Sequence, residues 1–215
     1  MKPIVVSFYT PDGPYPEYAM RLEASCKALG IDHLITEMPG HGSWVKNVAQ
    51  KGPYMLRLME TLNHPILWVD VDAEIISEPK VVYDVDEDFA IYADLKPRKW
   101  KPTGRTRALE LPKLWPDPPK WFLTGTVFFN NTQASRVLLE TWAELCQSFP
   151  TSYQQLLLQE CWCQVKIKTI WLPQSYCKIR HMAWRAKEDD RPAVIVHDLA
   201  SVRGVNGGRR KVERQ

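Results

Sequence analysis

The stretch Ile66-Leu67-Trp68-Val69-Asp70-Val71-Asp72 constrains this chain more than any other, because a nearly continuous apolar run ends in two carboxylates. An apolar run of that kind is the signature of a strand buried on both faces of a sheet. Such a strand belongs to an α/β architecture, in which helices cover both faces. With a side-chain period of two, Asp70 and Asp72 point to the same side of an extended backbone. Burying that pair alone costs on the order of several kcal/mol, so a compensating cation is expected. In open α/β sheets, ligands bind at the carboxyl ends of the strands. Oxygen ligands suit Mg2+ or Mn2+, and Mg2+ is commonly held by one or two carboxylates together with substrate phosphates. A divalent ion bridging a diphosphate satisfies these conditions, and a purely structural cap on the strand stays open beside it. The same tripeptide pattern recurs as Asp84-Val85-Asp86, but in the acidic run Asp84 to Asp88 and ahead of a strand. That copy reads as a solvated turn.

Elsewhere strands and helices alternate. Residues 4–9 (IVVSFY) form a short apolar strand that ends at the turn residues Pro11-Asp12-Gly13. Tyr18, Leu22, Cys26 and Leu29 recur at helical spacing over 17–29, with Gly30 placed as a C-cap. A strand is expected at 33–37, a Gly/His/Pro loop from Pro39 to Ser43, and a helix at about 53–62. The buried strand spans 66–71 and is followed by strands at 88–94 and 121–130. Helices at about 132–148 and 152–163 precede late strands at 165–172 and 193–197. Leu138, Trp142, Leu145 and Phe149 share one stripe of the first of those helices. The 215 residues suit a single domain. The fold class expected from this alternation is α/β, a central sheet with helices on both faces; its mixed, mostly parallel character over residues 1–203 is what the family resemblance given below implies.

Two segments break the pattern. Residues 96–120 are rich in Lys, Arg, Pro and Trp and carry eight basic against two acidic side chains. Residues 203–215 carry five basic against one, and 204–215 reads as a basic, mobile tail. The net charge of +3 is therefore the sum of +10 in these segments and −7 in the rest of the chain. The basic loop, interleaved with Trp100, Trp115 and Trp121, admits two main readings, with contact to an anionic membrane or glycolipid behind them. One is a lid that closes over a bound substrate. The other is a contact surface for a polyanion such as a nucleic acid, with phosphate contacts and base stacking. No stretch approaches the roughly 20 apolar residues of a membrane span. The start, MKPIVVSFYTPDG, reads as a first strand and not as a signal peptide. Five cysteines, an odd number, then argue for reduced thiols and a cytoplasmic location. Cys161-Trp162-Cys163 lacks a second pair, so a partly buried helix position is its expected role.

The stretch that ends in Asp70 and Asp72 resembles the nucleotide-diphospho-sugar glycosyltransferases of the GT-A fold, whose D-x-D motif ends a core strand in this way. Other segments agree in order. Tyr9-Thr10 is similar to the nucleotide-binding start of these enzymes, and Trp44, Asn47 and Lys51 precede the helix leading to the D-x-D strand. Phe122-Leu123-Thr124-Gly125-Thr126-Val127-Phe128-Phe129-Asn130 is similar to the Gly-containing strand beside the donor sugar. Val194-Ile195-Val196-His197-Asp198 resembles the late strand whose His completes the metal site. The resemblance covers roughly residues 1–203. It implies one Mn2+ or Mg2+ held by Asp70, Asp72 and His197, with a nucleotide-sugar, UDP-sugar favoured, as donor. Asp72 is then the catalytic ligand, Asp70 touches metal or ribose, and Lys51 pairs with phosphate. Tyr9 and Thr10 lie against base and ribose, while Thr124 and Gly125 allow close approach of the sugar. Tyr176 and Trp184 are candidates for stacking on it. Where related enzymes often carry an acid, this chain reads Tyr153-Gln154-Gln155-Leu156, which makes Gln155 the candidate catalytic group at that position.

Taken without the resemblance, several of these residues have structural readings too. His197 ends an apolar strand, Lys51 sits beside Gly52-Pro53, and Thr124-Gly125 suits a strand bulge. Three function classes follow. The leading one is a metal-dependent glycosyltransferase with an acceptor that includes nucleic acid, and hence DNA modification, among its candidates. The amides at Gln154 and Gln155 favour a non-catalytic nucleic-acid- or carbohydrate-binding module on the same fold. A nucleotidyltransferase would use the same metal and phosphates.

Overall fold

The computed structural model describes residues 1–94, 121–180 and 191–198. The basic loop 96–120, Trp184 and the tail 204–215 lie outside the described residues. In chain order the strands are β1 (Ile4–Tyr9), β2 (His33–Glu37), β3 (Ile66–Val69), β4 (Ala73–Ile75), β5 (Phe89–Asp94), β6 (Trp121–Phe129), β7 (Thr169–Trp171), β8 (Lys178–Ile179) and β9 (Ile195–His197). The helices are α1 (Tyr15–Ala28), α2 (Trp44–Ala49), α3 (Lys51–Leu62), α4 (Gln133–Ser148) and α5 (Gln154–Gln164).

A six-stranded sheet in the order β2-β1-β3-β6-β5-β7 forms the centre. The β1–β2, β1–β3 and β5–β7 pairs are parallel, and β6 runs against both of its neighbours, β3 and β5. The sheet is thus mixed and mostly parallel; the alternation of strands and helices accounts for the parallel pairs, and the reversed β6 is what makes it mixed. The apolar run of β3 explains why it can sit in the middle. Ile66 and Trp68 enter one core with Tyr54 and Met55 of α3, Leu138 and Trp142 of α4, and Leu157 of α5. Leu67 and Val69 enter the other, with Leu22 and Cys26 of α1. Alternate residues of one strand therefore feed two cores on opposite faces.

Among the differences from the sequence reading, four bear on how the site is built. Helix α2 arises after the expected loop, over residues given no element, and the Ser43 side chain caps it by accepting from the Lys46 N–H at 3.4 Å. Helix α3 starts two residues before Pro53, in the first turn where proline's missing N–H is tolerated. The 193–197 segment does not join the central sheet: β9 lies between β4 and β8 in a separate three-stranded sheet. Finally, β3 stops at Val69 and not at residue 71, with consequences for the site. Asp84, in the recurring tripeptide, pairs with the chain's N-terminal amine and is largely exposed, as a solvated turn would be.

Candidate active site

The two aspartates converge because the chain turns, not because it is pleated. The Ala73 N–H donates to the Asp70 carbonyl at 2.9 Å, closing a turn between β3 and β4. Asp70 and Asp72 thus lie outside any strand, which corrects the expectation that extended backbone aligns them. Strand β4 then pairs antiparallel with β9, with Ala73 opposite His197. The Asp198 N–H donates to the Asp72 carbonyl at 3.0 Å. Backbone pairing therefore carries a sequence-distant histidine to the turn. One ligand atom from each of Asp70, Asp72 and His197 lies within 4.8 Å of the others. The side chains are 38%, 14% and 5% exposed respectively, a cluster open on one side only. Two carboxylates and an imidazole gathered in this way fit a hard divalent cation.

Asp70 is held from below. Lys51 Nζ donates to Asp70 Oδ1 at 2.6 Å and to the Thr124 carbonyl at 3.0 Å, and the Trp68 ring centroid is 4.7 Å from it. Trp68 Nε1 donates to the same Oδ1 at 2.7 Å. Among the described residues, two donors thus engage Oδ1, and Oδ2 remains for a ligand. Lys51 is only 3% exposed. Its ammonium donates to both Asp70 and Thr124, which makes it an orienting residue for the Asp70 carboxylate.

A cleft runs from the aspartates along the end of β1, lined by Phe8, Tyr9, Thr10, Tyr15, Trp44 and Asn47 among others. Tyr9 and Thr10 both line this cleft, and Tyr9 donates its hydroxyl to Glu37 Oε2 at 3.2 Å. Burial raises the Tyr15 phenol above its ordinary range, and the Asp72 charge, a neighbouring phenol and Asp70 push it further. The Tyr153 phenol is raised by burial and by Asp70. Both stay protonated near neutral pH and report the negative field of the aspartates.

The remaining candidates lie on β6, on α5 and in the turn that follows β7. Thr124 is buried on β6 and accepts from Gln154 Nε2 at 2.7 Å, while Gln155 is buried in the first turn of α5. Gly125 has a different neighbour from the one expected. A Cβ there would stand 2.9 Å from His197 Cε1, so the space beside its Cα is filled by the imidazole and not left for a sugar. Tyr176 is buried in the α1-side core with its hydroxyl accepting from the Val81 N–H, a packing role that removes it as a stacking platform. All five cysteines are free thiols, four of them buried.

Four charges missed by sequence reasoning brace the site. Asp198 accepts from Arg21 Nη1 of α1 at 2.9 Å and from Arg180 Nε beyond β8 at 2.8 Å, and both arginines also contact Glu74 of β4. Burial pushes the Asp198 carboxyl up, but the Arg21 hydrogen bond and the charges of Arg180 and Arg21 outweigh it and hold it below the ordinary range. A depressed carboxyl stabilises the fold fully above its unfolded value of about 3.9. That contribution is lost as pH falls further through the folded value. Urea unfolding followed below about pH 5 should therefore show a shallower acid decline in Asp198→Asn than in the parent protein; parallel declines would show that Asp198 is not the group responsible. The pairing of His197 with Asp198 in one late segment was the available signal for Asp198, but nothing in the sequence pointed to Arg21.

The same fold is found in solved glycosyltransferases. One is a glycosyltransferase involved in the glycosylation of the major capsid of PBCV-1, at 16% identity over 93% of this chain and 95% of that one, with a TM-score of 0.62. The chain has the GT-A fold. Mouse xyloside xylosyltransferase 1 matches at 11% identity over 94% of this chain and 99% of that one, with a TM-score of 0.55. The galactosyltransferase LgtC, solved with donor and acceptor sugar analogs, matches at 12% identity over 92% and 87%, with a TM-score of 0.56. No protein-family model matches the sequence, and no curated protein matches it. In GT-A terms, β3 is the core strand that precedes the D-x-D turn, and β6 is the antiparallel strand beside it. No helix among the described residues is long and apolar enough to cross a membrane.

Proposed function

We propose that this chain is a metal-dependent glycosyltransferase that moves a sugar from a nucleotide-diphosphate sugar, a UDP-sugar in the first instance, to an acceptor hydroxyl. The observation that carries this reading is the gathering of Asp70, Asp72 and His197 at the end of an aromatic cleft on a GT-A fold. Asp72 and His197 would hold one Mn2+ or Mg2+, with Asp70 as third ligand or ribose contact. The ion would supply Lewis-acid stabilisation of the departing diphosphate. The chain's own residues do the rest. Tyr9, Thr10 and Trp44 bind and orient the nucleoside, and Lys51 and Trp68 lock the Asp70 carboxylate.

The amides at Gln154 and Gln155 are compatible with catalysis. LgtC has been solved as an active-site Gln-to-Glu variant, so a glutamine belongs to the active site of one neighbour. Gln155 is accordingly assigned to orienting the reacting sugar, not to proton transfer, because a side-chain amide is neither an acid nor a base near neutral pH. The capsid of PBCV-1 and the acceptor sugar analog of LgtC support a glycan or glycoprotein hydroxyl as acceptor. The eight basic residues of 96–120 sustain a polyanionic acceptor as the second reading.

The test is incubation with a panel of sugar nucleotides with and without Mn2+. Release of UDP that requires Mn2+ is expected, since such transferases leak donor to water; pyrophosphate as product would mark a nucleotidyltransferase instead. A donor at about 100 times its Kd should add about 2.7 kcal/mol of stability by mass action. A panel in which no donor stabilises the protein with Mn2+ would overturn the reading. If the acceptor is a polyanion, its affinity should drop by orders of magnitude between low and physiological salt while donor affinity holds. An acceptor affinity indifferent to salt would remove that second reading.

A further inference from the structure

We propose that Gly125 and Thr126 are positioning residues that make His197 a ligand through Nδ1, an inference that rests on the metal-centre reading above. Thr126 is fully buried on β6, with its Oγ1 2.8 Å from the Tyr176 carbonyl and 3.1 Å from His197 Nε2. A carbonyl can only accept, so the single Thr126 proton goes to Tyr176. The lone pairs of Oγ1 then face Nε2, which must carry its own proton and donate it. In a neutral imidazole one nitrogen donates and the other accepts, so the lone pair lies on Nδ1. Nδ1 stands 3.9 Å from Asp72 Oδ1, too far for a direct hydrogen bond. Two electron-pair donors at that separation are the arrangement that a shared cation joins.

Gly125 supplies the steric half of the device. A Cβ at this position would lie 2.9 Å from His197 Cε1 and 3.2 Å from Nδ1. Any side chain there would displace the ring or the strand from this position. Thr126 hooks the far side of the ring while Gly125 leaves room for the near side. The β4–β9 pairing fixes the backbone of the same residue, with Ala73 opposite His197. Ring position, ring rotation and tautomer are thus set by three separate contacts. Metal-binding histidines generally donate their second ring N–H to an oxygen, which raises the basicity of the ligating nitrogen. Thr126 does this here by way of a carbonyl that has already claimed its proton.

Two measurements test the inference. Long-range 1H–15N spectra of the metal-free protein, labelled at histidine and kept mildly alkaline, read the His197 tautomer directly. The Nε2–H form is expected, and an Nδ1–H form overturns the proposal. Separately, Mn2+ alone is titrated against the parent protein, Thr126→Val and Thr126→Ser, with free Mn2+ followed by EPR. Valine keeps the shape and removes the hydroxyl, so binding should weaken by about ten- to a hundredfold, with serine restoring most of it. Parent-like affinity in Thr126→Val overturns this inference alone. Absence of Mn2+ binding in the parent protein overturns the metal centre and this inference together.

Discussion

Asp72→Ala should lower donor turnover by about a thousandfold or more while leaving the unfolding curve nearly unchanged. A Lewis-acidic ion contributes several kcal/mol to stabilising the charge that develops on a leaving phosphate. Each 1.36 kcal/mol is about a factor of ten in rate. The fold should survive because the contact that docks β9 beside this turn uses the Asp72 backbone carbonyl, which accepts from the Asp198 N–H at 3.0 Å. An alanine keeps that carbonyl. Asp72→Asn is the matched control: it keeps shape and polarity but loses the charge, and it too should lose most activity. The comparison is read in two assays, UDP release with Mn2+ and urea unfolding without it. Undiminished UDP release in Asp72→Ala would remove Asp72 from the site, and a large loss of stability would show instead that the carboxylate is structural.

The D-x-D turn was legible in the sequence, but the reason given for its geometry was not the operative one. Alternation along an extended strand would align Asp70 and Asp72, whereas the observed device is an i to i+3 turn. The two mechanisms place the same residues together, so a correct pair followed from an incorrect backbone. The apolar run Ile66–Val69 was decisive because no other pattern buries a strand on both faces. The direction of β6 had no local signal, since nine residues rich in aromatic and β-branched side chains suit either orientation. His197 was marked only by the family resemblance. Its true neighbours, Thr126, Gly125 and the Ala73 backbone, come from sequence positions that nothing but the folded topology joins. Phe8 and Trp68 looked like core residues and are buried as expected, yet both also line the cleft. One residue type serves packing and binding here, which is why hydrophobic periodicity cannot separate the two.

Trp142→Ala should be the most destabilising single substitution on the α3-side core, by about 3–5 kcal/mol, the range for deleting a large buried aromatic. Trp142 is completely buried and stacks on Phe129 of β6, with ring centroids 6.4 Å apart and planes 17° apart. Its indole also donates Nε1–H to the Gln154 carbonyl at 3.0 Å, so the loss includes a buried acceptor left without that donor. Trp142→Phe separates the two parts. It keeps most of the ring and should cost about 1–3 kcal/mol, mainly for the hydrogen bond. The effect should also reach the site. Gln154 donates to Thr124 Oγ1 at 2.7 Å, and the Thr124 carbonyl accepts from Lys51, which in turn holds Asp70. Trp142 therefore anchors the start of α5 at one end of a hydrogen-bonded chain whose other end is the Asp70 carboxylate. Urea midpoints measure the stability, and Mn2+ affinity measured under conditions where Trp142→Phe is fully folded measures the coupling. A Trp142→Ala loss below about 1 kcal/mol would mean that α4 and α5 repack freely around the gap, contrary to a close-packed interior. Unchanged Mn2+ affinity in Trp142→Phe would show that the chain from Gln154 to Asp70 transmits no strain, and that Lys51 and Trp68 hold the carboxylate by themselves.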